Sequence, residues 1–194
     1  MKCYAVLPVK RLEDAKTRLR TALSGAERRR LVLRLLVRTG VLCEAAGLEV
    51  LVVSSDPDVE KASDRRGWRL VDDSGLGLNP SIRRALKSLT HAPVLIVLPD
   101  LPLLSLASIE AVLSIGGGKG CVVCPDLRLK GSNMLYHFDG GSLFPMFGAD
   151  SYRRHLASLS RRFPTKTYVE LGTALDLDKP SDLLLLSRLS PTPV

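Results

Sequence analysis

The sequence predicts an α/β fold: a mostly parallel sheet with helices on both faces and a small mixed-sheet segment. Three observations predict it. Short apolar runs at 4–9, 49–54, 94–98 and 120–124 have the length of buried strands. Helical patterns lie between them, and strands alternating with helices imply parallel pairing through crossovers. The run at 94–98 leads straight into Pro99-Asp100, an acid at the strand end, where open α/β sheets bind their ligands.

The elements follow in order. Residues 4–9 form the first strand, and 12–23 a polar helix or loop. A long helix spans 27–46, with Glu27, Arg30, Arg34 and Arg38 on one solvated stripe. The second strand is 49–54. Pro57 suits the first turn of a helix that runs to about residue 66. A short strand at 68–71 leads into the loop 72–80. Ile82, Ala85, Leu86 and Leu89 stand at i, i+3, i+4 and i+7, so 81–89 is a helix. After the strand at 94–98 comes a helix at 105–113, stopped by Gly116-Gly117-Gly118, and then the strand at 120–124.

From Asp126 the rhythm changes. Residues 127–133 read as a basic loop, 134–138 as a strand, 139–148 as a Gly- and aromatic-rich stretch, and 150–160 as a helix. A strand at 165–169 and a helix at 180–189 complete the chain, with a frayed tail at 190–194. The break suggests a mixed-sheet, substrate-covering segment at about 126–170 within one domain, 1–194.

A chain of 194 residues buries roughly 70% of the surface its unfolded form exposes, so it needs neither disulfide nor metal to fold. With 45% hydrophobic and 25% charged residues it is an ordinary globular composition. The net charge of +8 suits nucleic acid, an anionic membrane surface, or small polyanions such as nucleotides and phosphorylated acids. No run of 18 apolar residues could span a membrane, and the N-terminus reads as a strand rather than a signal peptide. Cys121 and Cys124 form a lone C-x-x-C without a second pair or spaced histidines. Small buried cysteines explain it, and the expected compartment is the reducing cytoplasm.

Three constellations carry chemistry. The acids come first: Asp100 after its strand, and Asp176 and Asp178 in Leu175-Asp176-Leu177-Asp178-Lys179-Pro180. Acids at strand ends are costly to keep charged without a cation. Mg²⁺ takes oxygen ligands and bridges to substrate phosphates, which points to a metal-dependent enzyme acting on phosphates. Second are the cations after the first strand, Lys10, Lys16 and Arg18. They lie where a nucleoside triphosphate would sit, yet no glycine falls between Lys10 and Arg20 and this is no P-loop. Phosphate binding and a solvated basic helix both fit that spacing. The loop 72–80, with Asp73, Leu78 and Asn79, is read either as a base- or ribose-binding loop or as capping, with Asn79 as N-cap and Pro80 in the first turn. Third are Ser132, Gly148 and Ser151, beside Lys130, Arg153 and Arg154. They are either an anion-binding helix N-terminus or an ordinary cap with surface arginines.

Taken in order, PVKRLEDAKTRL, Leu78-Asn79, LPDLPLL, PD…GSN, FGADSYRRH and LDLDKPSDL resemble one family over residues 6–184. It is the 2-phospho-L-lactate guanylyltransferases of deazaflavin coenzyme F-420 biosynthesis, with their phosphoenolpyruvate-using relatives. The resemblance implies a Rossmann-like nucleotidyltransferase fold and Mg²⁺ on Asp100, Asp176 and Asp178. It implies GTP along Lys10, Lys16 and the loop to Leu78 and Asn79, and an acceptor acid at Ser132, Gly148 and Ser151. Serine stands at 132 where the family usually has threonine, and 127–130 lacks a glycine common there, which leaves the acceptor's identity open.

The implied reaction is in-line attack on the α-phosphorus of GTP by an acceptor phosphate oxygen, with pyrophosphate leaving. That oxygen is already ionised, so no base is needed, in keeping with motifs that hold no His or Cys dyad. Lys10, Lys16 and Asp100 would be the catalytic groups. Implied partners are GTP, a small phosphorylated acid and the downstream transferase of the pathway; a homodimer is left open. Two other functions remain: a nucleotidyltransferase with a sugar-phosphate or molybdopterin acceptor, and a non-catalytic nucleic-acid binder. Against the second, aromatics are only 5%, and no aromatic-basic RNA motif appears.

Overall fold

The computed structural model describes residues 2–73 and 75–189. Among these residues seven strands form one sheet: β1 (Tyr4–Pro8), β2 (Glu49–Val53), β3 (Arg69–Val71), β4 (Val94–Val97), β5 (Cys121–Pro125), β6 (Ser132–His137) and β7 (Thr165–Thr167). Their order is β3-β2-β1-β4-β6-β5-β7. β1, β2, β3 and β4 pair in parallel. β6 runs antiparallel to both β4 and β5, and β7 returns parallel to β5.

The expected α/β architecture holds, its mixed segment included: after Cys124, β6 enters the main sheet antiparallel between β4 and β5. Its six residues are all buried, and only a position with a neighbour on each side satisfies their backbone groups away from water. Ser132 and Asn133, expected in a loop, are therefore strand residues.

Among the described residues there are seven α-helices: α1 (Gly25–Ala45), α2 (Pro57–Asp64), α3 (Leu78–Leu86), α4 (Leu106–Gly116), α5 (Ser151–Ser160), α6 (Leu171–Ala174) and α7 (Pro180–Leu189). Alternation along each strand splits the core in two. Ala5, Leu7, Leu95 and Val97 face α1, α2 and α4. Val6, Val94 and Ile96 face α3 and α5. Cys121 and Cys124 fall in opposite layers and cannot meet at one ion.

Helix starts obey local chemistry. Ser24 and Glu27 form a capping box that opens α1, and Asp56 with Pro57 opens α2. α3 is different. It starts at Leu78 with Gly77 as N-cap, so Asn79 is not the cap and Pro80 sits in the first turn, where its missing N–H has no helical partner to lose. α4 ends at the expected glycines, with Gly116 its last residue and Gly117 its C-cap. Gly116 also makes room for the Tyr136 ring, which a Cβ there would meet at 2.2 Å. The 12–23 stretch is turns plus one 3-10 turn at Thr17–Leu19. The short α6 has no periodicity to announce it. The expected frayed tail lies outside the described residues.

Candidate active site

The carboxyl ends of β1 and β4 open into a cleft of about 410 Å³. Lys10, Lys16, Arg18, Leu78, Asp100 and Asp178 line it. These six residues come from four segments of the chain, and the parallel pairing of β1 with β4 brings them to one edge of the sheet.

The loop after β1 is shaped from behind. Asp56, buried, accepts the Leu12 N–H at 2.8 Å while it caps α2. Arg28 of α1 donates to the Ala15 carbonyl at 2.8 Å. Lys16 then takes a left-handed backbone, φ 53° and ψ 38°, rare for a side chain of its size. That turn aims Lys16 inward. Its Nζ lies 2.7 Å from Asp100 Oδ2 and 3.2 Å from Asp178 Oδ1. Arg18 holds the other Asp178 oxygen at 2.9 Å. Lys10 is exposed on the cleft wall.

Asp100, Asp176 and Asp178 can each place an oxygen within 4.8 Å of the other two. The two acid loops are held in register by the backbone, with Leu177 N–H donating to the Asp100 carbonyl at 2.9 Å. Asp182 accepts the N–H groups of Asp178 and Lys179 on one oxygen. Asn133 donates its amide to the carbonyls of Thr173 and Ala174, just ahead of Asp176. Its own carbonyl accepts the Leu98 N–H, just ahead of Asp100. Arg38 reaches from α1 to the carbonyls of Leu101 and Leu104. Arg38 is thus no member of a solvated stripe: it clamps the turn that follows Asp100.

The electrostatics are those of an acid cluster short of positive charge. Burial, with Asp100 as a second cause, pushes the Asp176 carboxyl up to about 6. Burial would also raise Asp178, but Lys16 and Arg18 more than offset it and hold it below the usual range. Burial opposes the charge on Lys16, and Asp100 and Asp178 outweigh it and raise the ammonium. Asp100 Oδ1 is buried with no hydrogen-bond partner. An orphaned carboxylate oxygen beside two further carboxylates, with oxygen the only donor atom, fits a hard divalent cation.

Asp176 joins the cleft through the acid cluster it forms with Asp100 and Asp178. Asp73, Asn79, Ser132, Gly148 and Ser151 are outside the walls of the cleft. Asp73 Oδ1 accepts the Gly75 N–H and shapes its own loop. Asn79 spends its amide on Phe147, accepting the N–H at 2.7 Å and donating to the carbonyl at 2.9 Å. It neither caps α3 nor leaves its side chain free for a base.

Ser132 and Ser151 do meet: the Ser132 N–H donates to Ser151 Oγ at 2.8 Å. Gly148, at φ 115° in a region that only glycine enters cheaply, turns the chain into α5 and accepts the Ser151 N–H. The Tyr152 N–H goes to the Lys130 carbonyl, so the helix N-terminus is less open than its sequence suggests. His155, the last residue of FGADSYRRH but given no role by the sequence, sits 2.9 Å from Ser132 Oγ. One turn after Ser151 it shares that residue's face, and this i, i+4 spacing was the one available signal.

A family model described as "Guanylyl transferase CofC like" matches residues 3–187. A phosphoenolpyruvate guanylyltransferase of Rubrobacter xylanophilus is 38% identical, over 96% of this chain and 94% of that protein. One of Sphaerobacter thermophilus is 36% identical, over 98% and 95%. A 2-phospho-L-lactate guanylyltransferase of Methanocaldococcus jannaschii is 26% identical, over 94% and 81%. Among solved structures, a nucleotidyl transferase of Methanothermobacter superposes with TM-score 0.70 at 16% identity, covering 97% of each chain. A cytidylyltransferase of Leptospira borgpetersenii does so with TM-score 0.62 at 13% identity, covering 100% of this chain and 89% of that one. The fold is that of the nucleotidyltransferases, and the chain belongs to the guanylyl transferase CofC-like family.

Proposed function

We propose that the protein transfers GMP from GTP to the phosphate of a three-carbon phosphorylated acid, with Mg²⁺, and releases pyrophosphate. The observation that carries this is the cleft itself: Lys10, Lys16 and Arg18 face Asp100 and Asp178 at the carboxyl edge of β1 and β4. Two polyanions must be brought together there. Two unit charges 4 Å apart repel by about 4 kcal/mol at an effective dielectric of 20, and each substrate carries several.

In this reading Lys10, Lys16 and Arg18 hold the triphosphate. The loop of Asp73 and Leu78 meets the guanosine, with Asn79 supporting it through Phe147. Ser132, Gly148 and Ser151 hold the carboxylate of the acceptor and turn its phosphate toward the α-phosphorus. An acceptor oxygen attacks, the bond from the α-phosphorus to the bridging oxygen breaks, and pyrophosphate leaves. The nucleophile is already ionised, so the residues' work is positioning and charge neutralisation. Mg²⁺ on Asp100, Asp176 and Asp178 would neutralise charge on the transferring phosphoryl.

The higher identity to the phosphoenolpyruvate enzymes favours phosphoenolpyruvate over 2-phospho-L-lactate. We place the reaction in the cytoplasm, supported by four free cysteines, with the product passed to the downstream transferase of coenzyme F-420 biosynthesis. The test is pyrophosphate release from GTP or ATP with each acid, in Mg²⁺. Turnover is expected with GTP, and kcat/KM for ATP lower by about two orders of magnitude or more, because groups that pair with guanine's polar edge are left unpaired by adenine. Equal values for the two nucleotides, or no release with either acid, would refute the reading.

A further inference from the structure

We infer that His155 is a positioning residue that makes a hydrogen-bond donor of the Ser132 hydroxyl. This rests on the reading of Ser132 and Ser151 as the acceptor's contacts. His155 is fully buried on α5, and both ring nitrogens are engaged. Nε2 lies 2.8 Å from the Met146 N–H. A backbone amide can only donate, so Nε2 must carry a lone pair. Burial, with Arg154 adding to it, lowers the imidazole pKa to about 4 and keeps the ring neutral. Its single proton is then on Nδ1 and points at Ser132 Oγ, 2.9 Å away.

The polarity of the whole pair follows. Ser132 Oγ accepts from His155, and Ser151 Oγ accepts from the Ser132 N–H. Each oxygen already accepts one hydrogen bond from inside the protein, and each keeps its own O–H to give away. Two such donors side by side suit a ligand that only accepts: a carboxylate. The same geometry excludes the reverse role. A histidine that activates a serine must take its proton, and here the accepting nitrogen is turned to Met146. The arrangement is locked from the far side. Asn79 grips both backbone groups of Phe147, next to Met146, and the Phe147 ring packs edge-on to His155 with centroids 4.9 Å apart.

Three measurements on the full chain test this. In the wild type, ¹⁵N NMR of the His155 ring should show a protonated Nδ1 and a bare Nε2; a protonated Nε2 overturns the inference. His155→Leu should raise KM for phosphoenolpyruvate about tenfold, the effect of one lost hydrogen bond to a charged group, with KM for GTP moved far less. His155→Gln, whose amide offers a donor and an acceptor together, should bring that KM back to within about threefold of wild type. If His155→Leu does not fold, the tautomer and the Gln variant decide: a Gln variant as impaired as Ser132→Ala overturns the inference. Ser132→Ala separates the two layers of argument. Should it leave the acceptor KM unchanged, the acceptor reading falls and the inference with it. Should it raise KM while a folded His155→Leu does not, only the inference falls.

Discussion

Lys16 Nζ lies 2.7 Å from Asp100 Oδ2, across 84 residues of sequence, and reaches it from a left-handed backbone. The lysine neutralises part of an acid cluster that otherwise repels itself. Lys16→Met should therefore destabilise the metal-free protein. Breaking a buried pair costs roughly 3–5 kcal/mol, and the exposure of Asp178 reduces that here to about 2 kcal/mol, or a Tm lower by about 4–8 °C. MgCl₂ should raise the Tm of the variant more than that of the wild type. Equal shifts in thermal melts with and without MgCl₂ would show that the lysine and the ion do not serve the same carboxylates.

Asp100→Ala tests the acid cluster through turnover. Asp100 contributes the orphaned oxygen, so its loss should lower kcat by at least about 100-fold, equivalent to several kcal/mol of charge stabilisation. The far-UV spectrum should be unchanged. Wild-type turnover in Mg²⁺ would remove Asp100 from the mechanism.

Ser151→Ala should have two consequences, because Ser151 Oγ has an inner partner. The acceptor KM should rise about 10- to 100-fold while KM for GTP barely moves, as one hydrogen bond to a charged group is lost. The buried Ser132 N–H also loses its acceptor, at about 1–3 kcal/mol, so the Tm should fall as well. A fall in GTP affinity with an unchanged acceptor KM would mean the substrates are placed the wrong way round.

Asn79→Ala removes both hydrogen bonds to Phe147. The expected cost is about 2 kcal/mol, a Tm lower by about 4–8 °C. Because the Phe147 segment also carries the Met146 N–H that His155 accepts, the acceptor KM should rise along with KM for GTP. An increase confined to GTP would return Asn79 to a direct contact with the nucleotide.

Acid should weaken the fold through His155. Its folded pKa, about 4, is below the 6.5 of the free side chain, so between those values the unfolded chain binds more protons. Stability from this source is complete above about pH 6.5 and is lost as pH falls toward 4, by roughly 3 kcal/mol at 1.36 kcal/mol per unit. His137, lowered chiefly by burial, adds in the same direction. Asp176 opposes both: raised to about 6, it is relieved as pH falls. Denaturant melts of wild type and His155→Gln from pH 7 to 4.5 cancel the shared contributions of Asp176 and His137. The wild type should lose more stability than the variant over that range; parallel curves would mean that His155 is not a buried neutral imidazole.

Local pattern determined much of this protein. Buried strands read as uninterrupted apolar runs, and the helix at 180–189 has the bounds expected from the sequence. The alternation of strand and helix implied the parallel half of the sheet, the acid after β4 marked Asp100, and the paired acids before Pro180 marked Asp176 and Asp178, which the fold brings together with it. Only the tertiary structure decided where β6 lies, because an antiparallel strand inserted between β4 and β5 has the same local sequence as one at an edge. It also decided what the polar side chains do. Asn79 resembled a helix cap, Arg38 a solvated arginine, and His155 an unremarked histidine; each is bound to a partner far along the chain or across a turn. A residue's own neighbours in sequence set its backbone preference and which face it buries. The hydrogen-bond partner of a buried polar group is set by which distant segment the fold lays beside it, and that is where this site's polarity was determined.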